Sequence, residues 1–424
     1  MGTSTPRAID VVVIGAGHAG LAMSYWLASR GIEHVVLERA EVANSWRADR
    51  WDSMRLLTPN WMTTRPGCAY RGNDPDGYMR AREVASFIAG YAGEIAAPVR
   101  THTAVTGLRP EGSGWRVATE HGNWHCRCAV LASGAFARPV LPKLAGQVPV
   151  GVAQWTARTS RSPSQLSDGG VLVVGASATG VQLAQEFSQS GRPVTLAVGE
   201  HVRMPRLYRG RDIQWWMHAS GLLDQRIGDV DEPERARRVP SPQLVGTPER
   251  AMLDLNALQA QGVQVVGRLA GIREGRALFS GSLRNVCALA DLKMDRLLDA
   301  VDAWAEGNGH RDAAGAGERP ARTQLGTAPL SGLTLGQDVQ TVVWATGFRP
   351  DHSWLQVPAV NADGRLRHDA GVVAPGLYVL GLPFLRRRKS SFIHGAEDDV
   401  RELGAHLAEH LEQTSRPLAA NCMV

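Results

Sequence analysis

Apolar residues come in short runs that stop at glycine. Residues 9–14 read as a buried strand, GAGHAG follows at 15–20, and apolar positions at helical spacing predict a helix over 20–28. Gly31 closes the next turn, and 34–37 is a second strand that ends at Glu38. The same order returns later: a strand at 171–174, GASATG at 175–180, a helix over 180–189 and a strand at 194–198. Strand, glycine turn, helix, strand is the repeating unit of a parallel sheet. Between the two units, 40–68 is irregular and rich in Trp and Arg. A helix is expected over 78–91, paired strands at 115–119 and 126–132, and a Pro-, Ser- and Gly-rich crossover over 139–170. Beyond the second unit the pattern predicts helices at 212–219, 251–260, 291–304 and 396–411, and strands at 263–266, 341–344 and 377–380. The Ala-, Gly- and Arg-rich stretch 303–327 reads as a mobile surface loop.

Each glycine has its own task in such a turn. Gly15 permits the tight bend, Gly17 lets the backbone approach a pyrophosphate, and Gly20 allows close packing of helix on strand. The helix N-terminus offers free N–H groups and a favourable dipole to an anion. Glu38, followed by Arg39, ends the next strand, where a carboxylate holds both hydroxyls of a ribose. His18 lies inside the turn and either faces the ligand or is a spectator. In the second unit Gly175, Ser177, Thr179 and Gly180 repeat the pattern with serine at the middle position. Its second strand ends at Gly199 rather than an acid, and Arg203 and Arg206 follow. Those arginines suit the 2′-phosphate of NADPH, or else belong to a solvated loop; Glu200 keeps NADH open.

Two dinucleotide sites in one chain suit hydride transfer from a nicotinamide to a flavin. The fold class expected is therefore α/β with two dinucleotide-binding, Rossmann-like domains, the NADPH domain inserted in the FAD domain. Residues 1–165 would begin the FAD domain, 166–335 would form the NADPH domain with a helical insert, and 336–424 would complete the FAD domain, the chain returning after about Val339.

Composition narrows the class. The 424 residues are 44% apolar and 21% charged, as in a globular protein, and a formal net charge of +5 gives no ground for nucleic-acid binding. No apolar run reaches membrane-spanning length, and no signal peptide is evident, so a cytoplasmic protein is expected. The cysteines (Cys68, Cys126, Cys128, Cys287 and Cys422) form no CxxC pair. Cys126 and Cys128 share one strand face, where ordinary packing outweighs a metal pair. There is neither an HExxH metal motif nor a GxSxG elbow, and no metal is expected.

The chain resembles the class B flavoprotein monooxygenases, especially the bacterial flavin-containing monooxygenases and related flavoprotein oxidoreductases once linked to cation transport. The resemblance spans nearly the whole chain. It is carried by GAGHAG at 15–20, Glu38, NSW at 44–46, RWDSMRLLTP at 50–59, GASATG at 175–180 and WATGFRPD at 344–351. It implies FAD at the first turn and NADPH at the second. Trp46 and Arg47 would line the flavin, Thr58 and Asn60 would lie in the strip beside its ring, Thr346 and Gly347 would link the domains, and Leu382 would pass the ribityl chain. It further implies oxygen transfer from O2, through a peroxyflavin, to a small amine, sulfide or ketone. Asn60, Arg47 and His394 are the catalytic candidates.

The chain departs from the family's FxGxxxHxxxW motif, because LAGQVPVGVAQW at 144–155 carries Val150 at the histidine position. That keeps two alternatives open: a reductase passing electrons to another acceptor, and a non-catalytic nucleotide-binding sensor or scaffold. The basic run 386–389 reads as a solvated turn or as a contact to a phosphate or an anionic substrate. Trp215 and Trp216 read as packing or as a cavity wall. Homo-oligomerisation is left open.

Overall fold

The computed structural model describes residues 7–310, 317–326, 330–361 and 364–415. The chain begins with β1 (Arg7–Ile14), α1 (His18–Ala28), β2 (His34–Leu37), α2 (Asn44–Ala48) and α3 (Ala81–Glu94). It continues through β3 (Val99–Arg100), β4 (Val105–Glu111), β5 (Gly114–Thr119), β6 (Gly122–Leu131) and β7 (Ala153–Thr156). The second unit is β8 (Val171–Val174), α4 (Ala178–Gln189) and β9 (Val194–Val198). It is followed by α5 (Ile213–Ala219), β10 (Gln264–Gly267), an antiparallel trio β11 (Leu269–Arg273), β12 (Arg276–Phe279) and β13 (Gly332–Thr334), with α6 (Leu283–Gly307) before β13. The chain ends with β14 (Thr341–Trp344), β15 (Val372–Ala374), β16 (Leu377–Val379) and α7 (Ala396–Ser415).

The architecture is mixed α/β, built on two large sheets. The first has the order β15-β16-β6-β1-β2-β3, with β4 and β5 added as antiparallel strands beside β6. Its centre is parallel: Val11 to Ile14 align with His34 to Leu37 on one side and with Cys128 to Leu131 on the other. Both faces are covered, so the run from Val11 to Ile14 is buried without alternation. On one face α1 meets α7 so closely that a Cβ at Gly404 would lie 2.6 Å from the Trp26 ring. Residues of β1, α1, β6, α3 and α7 form one continuous core.

The second sheet is parallel throughout, in the order β7-β14-β8-β9-β10. Here the structure corrects two expectations. The stretch 139–170 is not only a crossover, because β7 lies within it. The strand at 341–344 does not return to the first sheet; β14 sits between β7 and β8. Its TVVW side chains are all buried, which suits an interior parallel strand. The chain rejoins the first sheet only at β15 and β16.

The expected loop 303–327 also differs. Residues 303–307 complete α6, and 311–316 lie outside the described residues, as does Cys422. The part from 317 to 326 is tied to acids along α6: Arg319 to Asp302 at 2.7 Å, Arg322 to Asp295 at 2.7 Å, and the Thr323 hydroxyl to Asp291 at 2.9 Å. The helix expected from residue 251 starts at Leu255, because the Asp254 carboxylate accepts the Ala257 N–H at 2.9 Å and caps it there.

Candidate functional site

Both glycine turns open on one cavity of about 1120 Å³. Gly15, Gly17, His18 and Glu38 line it from the first unit, and Gly175, Ser177 and Thr179 from the second. The turns are built alike. Gly15 has φ +111° and Gly175 has φ +110°, and a Cβ on either would stand 2.5 Å from a carbonyl oxygen, that of Ala132 or Ala345. A Cβ on Gly20 or Gly180 would stand 2.0 or 1.8 Å from the carbonyl oxygen of Gly15 or Gly175, so helix and strand pack at a separation only glycine permits. At Gly17, by contrast, a Cβ would meet nothing within 4 Å. That open side, next to the start of α1, leaves room for a pyrophosphate against bare backbone, and the fit to a dinucleotide is good.

The polar groups around the first turn point the same way. Glu38 Oε2 accepts the Ala16 N–H at 2.8 Å and Oε1 accepts the Ala40 N–H at 3.2 Å, which holds a buried carboxylate on the cavity wall. Hydrogen bonds of this charged kind are each worth about 1.5–3 kcal/mol. His18 is the first residue of α1, and its Nε2 is buried without a partner among the described residues. Burial, then the charge of Arg65, lowers its pKa to about 4, so the imidazole is neutral near pH 7.

The second turn is more enclosed. The Ala178 N–H, at the start of α4, donates to the Ser241 carbonyl at 3.3 Å, and Gln243 Nε2 donates to the Ala176 carbonyl at 2.8 Å. A strap over 236–242 therefore lies along the turn and brings Arg237 and Arg238 to the cavity wall. Glu200 also lines the wall, paired with Lys293 at 3.0 Å.

Arg203 and Arg206 do not reach the cavity, contrary to the sequence expectation. Arg203 is 2% exposed and clamped by Asp254 at 2.5 Å and Asp291 at 2.8 Å. Arg206 is 1% exposed, pairs with Asp212 and donates to the Leu57 carbonyl at 2.9 Å. Their charges are spent inside the fold and none is left for a 2′-phosphate.

The remaining candidates divide. Arg39, Trp46, Thr58, Thr346 and Gly347 line the cavity, whereas Leu382 does not, although Gly381 and Pro383 beside it do. None of the three catalytic candidates is on the wall. Asn60 is buried, donating to the Asp74 carbonyl at 2.9 Å and accepting the Met79 N–H at 2.8 Å, which shapes the loop. Arg47 is exposed and donates to the Val42 carbonyl at 3.4 Å. His394 has its ring edge-on to His218, and its pKa is lowered to about 4 by burial and by Lys389. Trp216 is fully buried in a cluster with Trp215 and Trp304, so this pair packs rather than lines.

Among the wall residues that sequence reasoning did not name as site residues are Arg50, Phe136, Arg237 and Arg238, while Arg388 belongs to the basic run for which a phosphate or anionic-substrate contact was one reading. Arg50 lies 5.3 Å over the Trp46 ring and 5.7 Å over the Phe136 ring. Its place in RWDSMRLLTP was visible, but the aromatic partner beyond β6 was not. Among the described residues no group of three His, Cys, Asp or Glu side chains is placed to hold a metal, and the four described cysteines are unpaired. No helix among them is long and apolar enough to cross a membrane.

Known proteins place this geometry in context. The pattern of the pyridine nucleotide-disulphide oxidoreductase family matches residues 12–213. A CzcO-like oxidoreductase of Geobacillus kaustophilus, itself uncharacterised, is 30% identical over 410 residues, covering 95% of this chain and 99% of that protein. Among solved structures, a flavin-containing monooxygenase from Stenotrophomonas maltophilia superposes with a TM-score of 0.65 at 20% identity, over 96% of this chain and 99% of that one. OTEMO, solved in complex with FAD and NADP, superposes with a TM-score of 0.55 at 15% identity, over 97% of this chain and 85% of that one. These two structural likenesses concern the fold.

Proposed function

The chain belongs to the CzcO-like oxidoreductases, and from that premise we propose that it is an NADPH-dependent flavoprotein monooxygenase acting on a small organic substrate. The observation that carries this reading is the pair of glycine turns facing one cavity. In it, two Rossmann-like units hold two dinucleotides, the NADPH unit inserted in the FAD unit. FAD belongs at the first turn, with its pyrophosphate against Gly15 and Gly17 and its adenosine ribose on Glu38. NADPH belongs at the second turn, against Gly175, Ser177 and Thr179, with Arg237 and Arg238, which line the wall and pair with Glu234 at 2.8 and 3.8 Å, the cations offered to a 2′-phosphate. OTEMO, with both FAD and NADP bound, supports this pairing.

A bound flavin supplies hydride acceptance and, once reduced, the electrons that activate O2. The protein's own residues bind, orient and exclude water. The Glu38 carboxylate, already fixed by two N–H groups, is preorganised for ribose hydroxyls. His18 is neutral, with its Nε2 buried and without a partner among the described residues. Trp46, Phe136, Phe348 and Phe384 give the wall apolar faces that keep water from the reacting centre. Unpaired cysteines suit a reducing compartment such as the cytoplasm.

One observation favours a second reading. Val150, at the position where the monooxygenases carry histidine, is fully solvent-exposed and is not among the residues of the wall. A reductase that hands electrons to another acceptor would have no need of that histidine. The test is anaerobic addition of NADPH to FAD-loaded protein, followed by air and a panel of amines, sulfides and ketones. Bleaching of the flavin with an oxygenated product supports the monooxygenase. Bleaching with hydrogen peroxide as the sole product favours the reductase, and no bleaching sinks both.

A further inference from the structure

The basic run 386–389 is not one feature but two. Arg386 pairs with Glu402 at 2.6 Å, Arg387 with Asp399 at 3.3 Å, and Lys389 with Asp224 at 2.5 Å and Asp398 at 2.8 Å. These three cations clamp the segment before α7 to that helix and to the insert at 222–229. Arg388, in their midst, has no carboxylate partner among the described residues and lines the cavity. Its backbone N–H donates to the Gln225 carbonyl at 3.2 Å, its Nε donates to Gln225 Oε1 at 2.6 Å, and its guanidinium lies 5.0 Å over the Phe384 ring. These contacts fix the plane of the guanidinium and leave both Nη atoms without an acceptor among the described residues.

Nothing on the wall competes for that fork. Glu38 is held by backbone N–H groups, Asp49 by Arg158 at 3.0 Å, Glu200 by Lys293 at 3.0 Å, and Asp351 by Arg138 at 2.7 Å. Desolvation lowers the Arg388 pKa. Arg388 is exposed at the cavity wall, and a guanidinium held there through its Nε with two open N–H edges is the group that recognises a carboxylate in bidentate fashion. Phe384, Phe392 and Ile393 stand beside it on the wall to receive an apolar body.

We infer that Arg388 recognises a carboxylate on the substrate, so that the substrates are organic acids with an apolar body. The inference rests on the flavoenzyme reading, which places the substrate in this cavity. The rival source of the same chemistry is a phosphate of FAD or NADPH. The test titrates FAD-loaded wild type and R388Q by calorimetry with phenylacetate and with phenylacetamide, a matched pair differing in charge. Wild type is expected to bind the acid about tenfold more tightly than the amide. R388Q is expected to lose that preference, R388K to keep part of it, and both to retain wild-type flavin content and NADP+ affinity. No preference in wild type, or a preference that survives in R388Q, overturns the inference. So does loss of FAD or of NADP+ affinity in R388Q, which reassigns the group to a cofactor phosphate. If wild type takes up no FAD, the flavoenzyme reading fails separately, and the acid-over-amide comparison on the same protein still decides the role of Arg388.

Discussion

The two glycine turns of this protein share their backbone and differ in what surrounds it. Gly15 and Gly175 adopt the same positive φ, and each packs under the residue that follows a neighbouring strand, Ala132 or Ala345. Yet the first turn opens freely to the cavity, with Glu38 beside it and bare space at Gly17. The second is strapped by 236–242, whose Ser241 carbonyl accepts the first N–H of α4. It carries Ser177 at the middle position, and Arg203 and Arg206, which follow its second strand, are buried in ion pairs. A motif thus specifies a turn, and its surroundings specify how much of that turn is open to the cavity.

Four experiments would break or sharpen this contrast. The largest effect is expected from Arg203→Ala, which would strand Asp254 and Asp291 in the interior and cost about 3–5 kcal/mol in denaturant unfolding. NADP+ affinity of the surviving folded protein should hold; a selective loss of that affinity without destabilisation would restore Arg203 to the nucleotide site. Next comes Glu38→Ala, which removes the carboxylate from the first turn alone. FAD is expected to bind about 30-fold more weakly, by about 2 kcal/mol, while NADP+ binding stays within error. Equal retention of FAD by the variant and wild type would remove Glu38 from the site.

Exchanging the middle residues, Gly17→Ser and Ser177→Gly, should have a smaller effect, within about tenfold. Both variants should fold, because a Cβ at Gly17 meets nothing; FAD should weaken in the first and NADP+ tighten in the second, read by fluorescence titration. No change in either would show that the middle position is not where the two cradles differ.

The smallest effect concerns His18, for which the second turn has Ala178. In the fold its pKa is lowered to about 4 by burial and Arg65, from an ordinary 6.5. The unfolded chain therefore binds the proton first as pH falls, and stability is lost progressively from pH 6.5 toward 4. His18→Ala should flatten that part of the thermal-melt profile, by about 1 kcal/mol near about pH 5.5, and leave the profile above pH 7 unchanged. A slope identical to wild type would mean that the imidazole is protonated in the fold.

Much of the architecture was legible in the chain because it is local. The strands at 34–37, 171–174 and 194–198 and both glycine turns follow from contiguous apolar runs and the steric needs of a tight bend. Partnership was less legible. The strand at 341–344 has the same apolar signature whichever sheet receives it, and only pairing with β7 and β8 places it in the second. The strand at 153–156 was hidden in a polar, Pro-rich stretch, because an edge strand needs only a half-buried face.

By itself the sequence determined that two alike glycine turns exist, since glycine at fixed spacing answers a steric demand within a few residues. Only the tertiary structure decided which charges face them. Arg203 and Arg388 are the same residue type, but Asp254 and Asp291, far along the chain, neutralise the first, while Gln225 and Phe384 orient the second toward the cavity without taking its charge. An electrostatic partner is chosen by distance in space, and spacing along a chain does not encode it.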